Sequence, residues 1–270
     1  DVLFLVGARV GDRAVKTPLA LEKTTKIIHI DIDPAEIGKN IGADLPLVGD
    51  AKLVLQQMTE LAKPMKHDEW IAHIKTLGGE RKYVEPAKGT VNPRVFIDRL
   101  AKKMPANVTV VADVGQNQIW TCTEYKFRKE GRLLTSGGMG TMGYSVPAAI
   151  GAKMADNSRA TVAICGDGAF QMSFMELATA VQFGVDIKVV VMTNNRLGMV
   201  RELQTNGYHD RQTAVFLDGS PDFIKLAEAY GIPAMRVYDD DTMDKGVEML
   251  AEHKGICLVE VVVDKDMPTL

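Results

Sequence analysis

A chain of 270 residues with 46% hydrophobic side chains and a formal net charge of −3 has the composition of an ordinary soluble globular protein. No apolar run approaches the length of a membrane span, no signal peptide opens the chain, and no basic stripe argues for nucleic acid. Cys122, Cys165 and Cys257 are few, odd in number and widely spaced, so a reducing, cytoplasmic setting is expected rather than a disulfide framework. There is no starting Met, and the chain enters directly on a strand; it reads as part of something longer.

The first predicted strand is Val2–Val6, ending in the turn Gly7-Ala8-Arg9-Val10-Gly11-Asp12-Arg13. A second covers 26–30 and ends at Asp31-Ile32-Asp33-Pro34. Asp33 reads as an N-cap with Pro34 at N1 and Glu36 at N3, a capping-box pattern. Asp31 is the better candidate for holding a ribose at the end of a Rossmann-like strand, although the glycine spacing is not G-x-G-x-x-G. Residues 51–61 form a predicted helix. Residues 63–89 are charged and broken by Pro64, Gly78, Gly79, Pro86 and Gly89, so they read as an interdomain linker with one short helix around 70–74. His67 and His73 lie there without a Cys or acidic partner at metal spacing, which makes them solvated linker residues.

A second domain is expected from residue 90. Asn92 or Pro93 opens a helix with Val95, Leu100 and Met104 among its apolar positions, and 108–112 is a strand leading into Asp113-Val114-Gly115-Gln116-Asn117. On the residues alone that turn needs no ligand, with Asn117 capping the next helix. Residues 135–144 (TSGGMGTMGY) hold four glycines ahead of a helix with Pro147 in its first turns. The bare pattern fits either a flexible loop or a loop whose backbone closely approaches a ligand.

The most informative stretch is 160–200. Residues 161–165 are a short apolar, β-branched run broken by Gly166-Asp167-Gly168. Phe174, Leu177, Ala178 and Val181 then fall at i, i+3, i+4 and i+7, the face of one amphipathic helix stopped by Gly184. Residues 187–192 read as a second buried strand. Strand, helix and strand without a hairpin make a βαβ unit, so Asp167 and Asn194 both sit at carboxyl ends of parallel strands. A carboxylate and a neutral amide oxygen suit Mg²⁺ better than a soft metal. Gly168 lets a ligand approach the backbone, and a helix starting near Ala169 offers free N–H groups to a phosphate. The residues therefore predict a Mg²⁺–diphosphate site. Downstream, 222–230 and 242–253 read as helices, Ala234–Val237 and 256–263 as strands, and His209 and His253 as surface residues. The fold expected is α/β: a doubly wound, mostly parallel sheet preceded by the end of a Rossmann-like domain.

SGGMGTMGYSVPAAIGAKM, GDGAFQMSFMELATAV, LGMVREL and KIIHIDIDPAEIGKN occur in the order found in a known family. The chain resembles the large catalytic subunit of acetolactate synthase, among the thiamine-diphosphate (ThDP) dependent decarboxylases and carboligases. The resemblance implies a ThDP-dependent transferase of branched-chain amino acid biosynthesis: pyruvate loses CO₂ and the two-carbon unit adds to a second 2-keto acid, giving 2-acetolactate. It implies a remnant of the FAD-associated central domain at 1–62, a linker at 63–89 and a ThDP diphosphate and Mg²⁺ domain at 90–270. By position Val114, Gly115, Gln116 and Asn117 touch the diphosphate, and the family usually has His where Asn117 stands. The Gly140 carbonyl accepts from the 4′-amino group, Met142 props the cofactor into its bent shape, and these two are the implied catalytic positions. Asp167 and Asn194, 27 residues apart as in the family, bind Mg²⁺ with the Arg196 carbonyl; pairing Asn194-Asn195 instead would shift the ligand by one. Gly168, Ala169, Gly198 and Met199 lie along the cofactor.

For FAD, the resemblance implies contacts from Arg13, Asp31, Ile32, Asp50 and Ala51, with Val10-Gly11 departing from the common Phe-Asp. Leu203 stands where many biosynthetic large subunits have Trp, which points to two pyruvates rather than 2-ketobutyrate as the second substrate. A homo-oligomer with sites between subunits and a small regulatory subunit are implied partners. Start-up implies a Glu from a pyrimidine-binding domain outside these 270 residues, so the chain alone is expected to be inactive. The residues alone also fit a non-catalytic nucleotide-binding or assembly module.

Overall fold

The computed structural model describes residues 1–11, 14–15, 17–77 and 83–269. They divide into two compact units, 1–80 and 81–270. In the first, β1 (Val2–Val6), α1 (Pro18–Glu22), β2 (Lys26–Asp31), β3 (Leu45–Val48), α2 (Ala51–Leu61) and α3 (Asp68–Leu77) follow one another. The strands form a parallel sheet in the order β1-β2-β3 over a small core of Leu5, Val10, Ile27 and Ile41. Strand β3 was not legible from Leu-Pro-Leu-Val; its Pro46 is tolerated because β3 lies at the sheet edge, where a missing ladder donor costs little. The helix expected after Asp33 does not form. The Asp33 carboxylate accepts from Ala35 N at 2.9 Å, but the backbone makes only turns over 34–38, and Gly38 takes a positive φ of 75° that ends them.

The second unit runs α4 (Pro93–Lys103), β4 (Thr109–Ala112), α5 (Gln116–Glu124), β5 (Arg132–Thr135), α6 (Ser145–Ala155), β6 (Thr161–Gly166), α7 (Asp167–Gln171), α8 (Leu177–Gln182), β7 (Lys188–Thr193), α9 (Gly198–Gly207), α10 (Phe223–Ala229), β8 (Ala234–Val237), α11 (Asp240–Glu252) and β9 (Cys257–Val262). Its six strands are parallel in the order β5-β4-β6-β7-β9-β8. Alternate residues of the buried strands feed opposite faces. Val110, Val162, Ile164 and Val190 pack with Phe96, Ile97 and Leu100 of α4 and Trp120 of α5. Val111, Ala163, Cys165 and Val191 pack with Val146 and Ile150 of α6, Phe170 of α7 and Phe223 of α10. This is the doubly wound α/β sheet that the run of strands and helices implied.

The helix after β6 is not continuous. A 3₁₀ turn at Phe174–Glu176 separates α7 from α8, so the heptad-like phase is lost: Leu177 is buried but Ala178 and Val181 are exposed, and Ala180 takes the inner place. α7 also starts two residues earlier than expected, at Asp167 itself.

Strand order reverses between β4 and β6, since the chain goes from β4 out to the edge as β5 and returns past β4. In open α/β sheets the crevice at such a reversal, beyond the carboxyl ends of the strands, is where ligands bind.

α4 is held by its cap. The buried Asn92 side chain accepts from Arg94 N and Val95 N and donates from Nδ2 to the Val84 carbonyl at 2.9 Å. Asn92→Ala removes a cap worth about 1 kcal/mol and a buried hydrogen bond worth about as much again. Urea unfolding is expected to give a loss of about 2 kcal/mol with an unchanged m-value.

Candidate functional site

The end of β6 delivers a carboxylate into the interior. Asp167 is 1% exposed. Its Oδ1 accepts from Gly168 N at 2.8 Å, and its Oδ2 accepts from Asn195 N at 2.6 Å and Asn194 N at 3.1 Å. The loop after β7 is thus drawn over the end of β6 by one side chain. Burial pushes the Asp167 carboxyl up to about 6, against the pull of those three N–H groups. Asn194 accepts on Oδ1 from Arg196 N at 3.0 Å and donates from Nδ2 to Gln116 Oε1 at 3.2 Å. Asn195 makes the turn with a positive φ of 54°. The Arg196 guanidinium is engaged elsewhere: Nη1 meets the Asn195 carbonyl and the Asp218 carboxylate, each at 2.7 Å, and the group lies over the Phe216 ring.

The end of β4 supplies the opposite wall. Gly115 precedes α5 with φ 143°, and a Cβ there would come within 2.6 Å of Asn117 Oδ1. Gly115, rather than Asn117, occupies the cap position. The Asn117 amide donates from Nδ2 to the Asp113 carbonyl at 2.8 Å and the Ile164 carbonyl at 3.2 Å, tying the ends of β4 and β6 together. What Asn117 has for an anion is therefore its backbone N–H, one of the first-turn donors of α5 without an intrahelical acceptor.

Asp113 is the residue that sequence reasoning passed over. It is fully buried; Oδ1 accepts from Val114 N at 2.9 Å and Gly143 N at 3.0 Å, and Oδ2 from Ser145 N at 2.7 Å. It fastens the glycine-rich loop to the strand edge. The available signal was an acidic residue directly after the apolar run at 110–112, where a turn would otherwise carry it into solvent.

Between these walls lies a cavity of about 100 Å³. It gathers Val114, Gly115, Gln116, Asn117, Met142, Asp167, Gly168, Ala169, Asn194, Arg196, Gly198 and Met199 from segments far apart in the chain. Trp120, Leu197 and Val263 add apolar wall that the sequence did not assign. Met142 reaches across the Gly166-Asp167-Gly168 turn, its Cε 3.3 Å from where a Gly168 Cβ would stand. Gly140 is not in the wall; it sits in the exposed part of the loop with φ 65°. Leu203 is exposed on α9.

The donor set is hard: a carboxylate, an amide and backbone groups at the ends of parallel strands. Among the described residues no three His, Cys, Asp or Glu side chains cluster as a metal site. A cation here would take few protein ligands and complete its shell with phosphate oxygens and water, the habit of Mg²⁺. The first turn of α5 and the glycines at 115 and 168 would give a diphosphate a backbone cradle.

In the first unit, Asp31 and the exposed Ile32 lie at the end of β2, and Asp50 and Ala51 at the start of α2. Asp31 Oδ1 accepts from Asp33 N and Asp50 Oδ1 from Leu53 N, so both carboxylates serve turns or caps. Arg13 lies outside the described residues. A cavity of about 490 Å³ in this unit is lined instead by Arg9, Val10, Gly11, Val15, Pro18, Lys39 and Asn40.

A parallel sheet with a hard-oxygen, backbone-lined crevice at its strand reversal defines a diphosphate-binding α/β protein. The comparisons make the class specific: residues 113–261 match "Thiamine pyrophosphate enzyme, C-terminal TPP binding domain", and residues 1–58 match the central domain of the same enzymes. The chain belongs to the thiamine pyrophosphate (thiamine diphosphate) enzyme family. It is similar to the acetolactate synthase large subunit of Lactococcus lactis subsp. lactis, 36% identical over 267 residues, covering 98% of this chain and 46% of that protein. The probable acetolactate synthase large subunit of Methanocaldococcus jannaschii is 38% identical over 275 residues, with 98% and 46% covered. Acetolactate synthase isozyme 3 large subunit of Escherichia coli K12 is 35% identical over 276 residues, with 98% and 48% covered. The chain spans about half the length of the curated relatives it matches.

A Cβ at Gly198 would collide with the Gln116 side-chain amide and come within 3.1 Å of Asn194 Nδ2. Gly198→Ala is expected to displace Gln116 and lower unfolding stability by about 2 kcal/mol, the usual cost of overpacking. Guanidinium unfolding of the two proteins checks this.

Proposed function

We propose that this chain forms the ThDP- and Mg²⁺-binding part of an acetolactate synthase, which decarboxylates pyruvate and joins the two-carbon unit to a second 2-keto acid. The observation that carries the reading is the convergence of Asp167, Asn194 and the first turn of α5 on one crevice. ThDP, when bound, supplies the carbanion chemistry of decarboxylation and carboligation. The chain's own residues bind and orient. Asp167, the Asn194 amide and the Arg196 carbonyl hold the cation, and the backbone at Val114, Gly115, Gln116 and Asn117 with Gly168 and Ala169 receives the diphosphate. Gly198 and Met199 would flank the cofactor, Met142 would prop it, and the Gly140 carbonyl would accept from its amino group. Leu203 in place of a bulkier aromatic favours two pyruvates as substrates.

Residues 63–89 serve as a linker between the central domain and the ThDP domain, and Arg13, Asp31, Ile32, Asp50 and Ala51 contact FAD in the first unit. Met172, Met175, Val181 and Phe183 stand exposed between the end of α7 and the end of α8, apolar surface that favours a homo-oligomer. The relatives' "large subunit" names favour a smaller regulatory companion. The cysteines Cys122, Cys165 and Cys257 are unpaired, which favours a cytoplasmic setting, and no helix among the described residues is long and apolar enough to cross a membrane.

Two measurements test this reading. Pyruvate consumption by the intact protein, with and without 2-ketobutyrate, should yield 2-acetolactate in both cases; no product from pyruvate contradicts it. Calorimetry with ThDP and Mg²⁺ should give binding that Asp167→Ala abolishes. The folded-state carboxyl of Asp167 is raised above its ordinary 3.8 to about 6, so proton and cation compete for it. Mg²⁺ affinity is expected to fall about tenfold per pH unit below pH 6 and to level off above it. For the cation-free protein the sign is the reverse of the usual carboxylate. This group's contribution is present below about pH 4 and is lost as pH rises through 6, up to about 3 kcal/mol.

A further inference from the structure

The Gln116 side chain in the cavity wall is held at both ends of its amide. It is 4% exposed. Nε2 donates to the Met267 carbonyl at 2.9 Å and to Thr269 Oγ1 at 3.1 Å, while Oε1 accepts from Asn194 Nδ2 at 3.2 Å. The segment carrying Met267 and Thr269 follows β9 and is tightly seated. Thr269 N donates to Glu202 Oε1 at 3.2 Å, and the Thr269 hydroxyl donates to Glu202 Oε2. Trp120 Nε1 donates to the Pro268 carbonyl at 3.2 Å, and Asp266 lies 3.5 Å from Arg201 Nη1. Met267 and Thr269 are both buried.

These contacts have a direction. A carbonyl can only accept, so Met267 fixes which end of the Gln116 amide faces it. The Thr269 hydroxyl spends its proton on Glu202, so toward Gln116 it too is an acceptor. The Gln116 NH₂ therefore faces the segment and its oxygen faces Asn194. That oxygen in turn consumes the Asn194 NH₂, while Asn194 Oδ1 accepts from Arg196 N with one lone pair and keeps the other for a cation. Reversing Gln116 would set two NH₂ groups against each other, or turn Asn194 so that it offered N–H where oxygen is needed.

We propose that the segment 264–269, through Thr269 and Met267, is a positioning element of the cation site that fixes the Gln116 amide and thereby presents Asn194 Oδ1 as a ligand. This rests on the reading of Asp167 and Asn194 as cation ligands. It adds to it residues that line no part of the cavity. Outer-layer partners that orient a metal ligand commonly govern affinity by an order of magnitude or more.

The test is Mg²⁺ titration calorimetry of the intact protein with ThDP present, together with melting temperatures of the cation-free proteins. Thr269→Val keeps the shape and loses the hydroxyl; it is expected to weaken Mg²⁺ binding about tenfold. Thr269→Ser restores the hydroxyl and should return affinity to within about twofold of the parent, with both cation-free melting temperatures within about 2 °C of the parent. Should Thr269→Val fail to fold, Glu202→Gln loosens the same seat from the other side and is expected to weaken Mg²⁺ binding in the same direction. Parent-like Mg²⁺ affinity in the variant that folds overturns the inference, as does a weakening that Thr269→Ser does not reverse. If Asp167→Ala leaves Mg²⁺ binding intact, the reading of the cation site itself fails, an outcome distinct from a parent that needs Asp167 but ignores Thr269.

Discussion

One buried carboxylate organises the second unit. Asp167 stands where β6 meets α7, out of reach of solvent, and its carboxylate accepts from three backbone N–H groups. Two of those belong to the loop after β7, so this side chain sets the separation between the ends of two neighbouring parallel strands. Desolvation lifts its carboxyl to about 6, which means that the folded chain holds charge there at a cost. A hard divalent cation would offset that cost, while the two oxygens are both needed by the backbone N–H groups of Gly168, Asn194 and Asn195, which a neutral amide with one oxygen could not satisfy. Function and fold therefore meet in the same two oxygens.

Asp113 does the complementary work one strand over. Its carboxylate gathers Val114, Gly143 and Ser145 and so brings the glycine-rich loop against β4. Asn117 bridges the β4 and β6 ends through two carbonyls. Three polar side chains bonded to backbone groups thus shape a crevice that apolar side chains such as Met142, Trp120 and Leu197 also line. Packing explains why glycines recur at 115, 168 and 198: a Cβ would strike Asn117 at the first, Leu197 at the second and Gln116 at the third.

The sheet was legible in the sequence because strands buried on both faces read as unbroken β-branched runs and glycines punctuate them. Strand β6, the strand at β7 and the helix cap at Asn92 all follow from local patterning. The strands that escaped notice were short edge pieces: Leu45–Val48 contains a proline, and Arg132–Thr135 carries a charge, so neither announces burial. The helix after β6 was misread because Phe174, Leu177, Ala178 and Val181 keep a helical spacing while the backbone slips into a 3₁₀ turn, which spacing alone does not encode. Asp33 likewise has the chemistry of a cap, but Gly38 ends the turn before a helix can propagate.

Within the site, the residue types were legible and the bonding was not. Asp167 and Asn194 could be chosen from strand ends and hard-oxygen chemistry, and Val114 to Asn117 from family resemblance. That the Asn117 amide faces carbonyls rather than an anion, and that Gln116 is gripped by residues some 150 positions away, depends on contacts across the chain. The most direct measurement is anomalous diffraction from crystals of the protein grown with Mn²⁺ and ThDP. The account predicts one strong peak about 2.1–2.3 Å from an Asp167 carboxylate oxygen and from Asn194 Oδ1, bridging to the diphosphate. A diphosphate bound in the crevice with the metal absent from those two oxygens would contradict it.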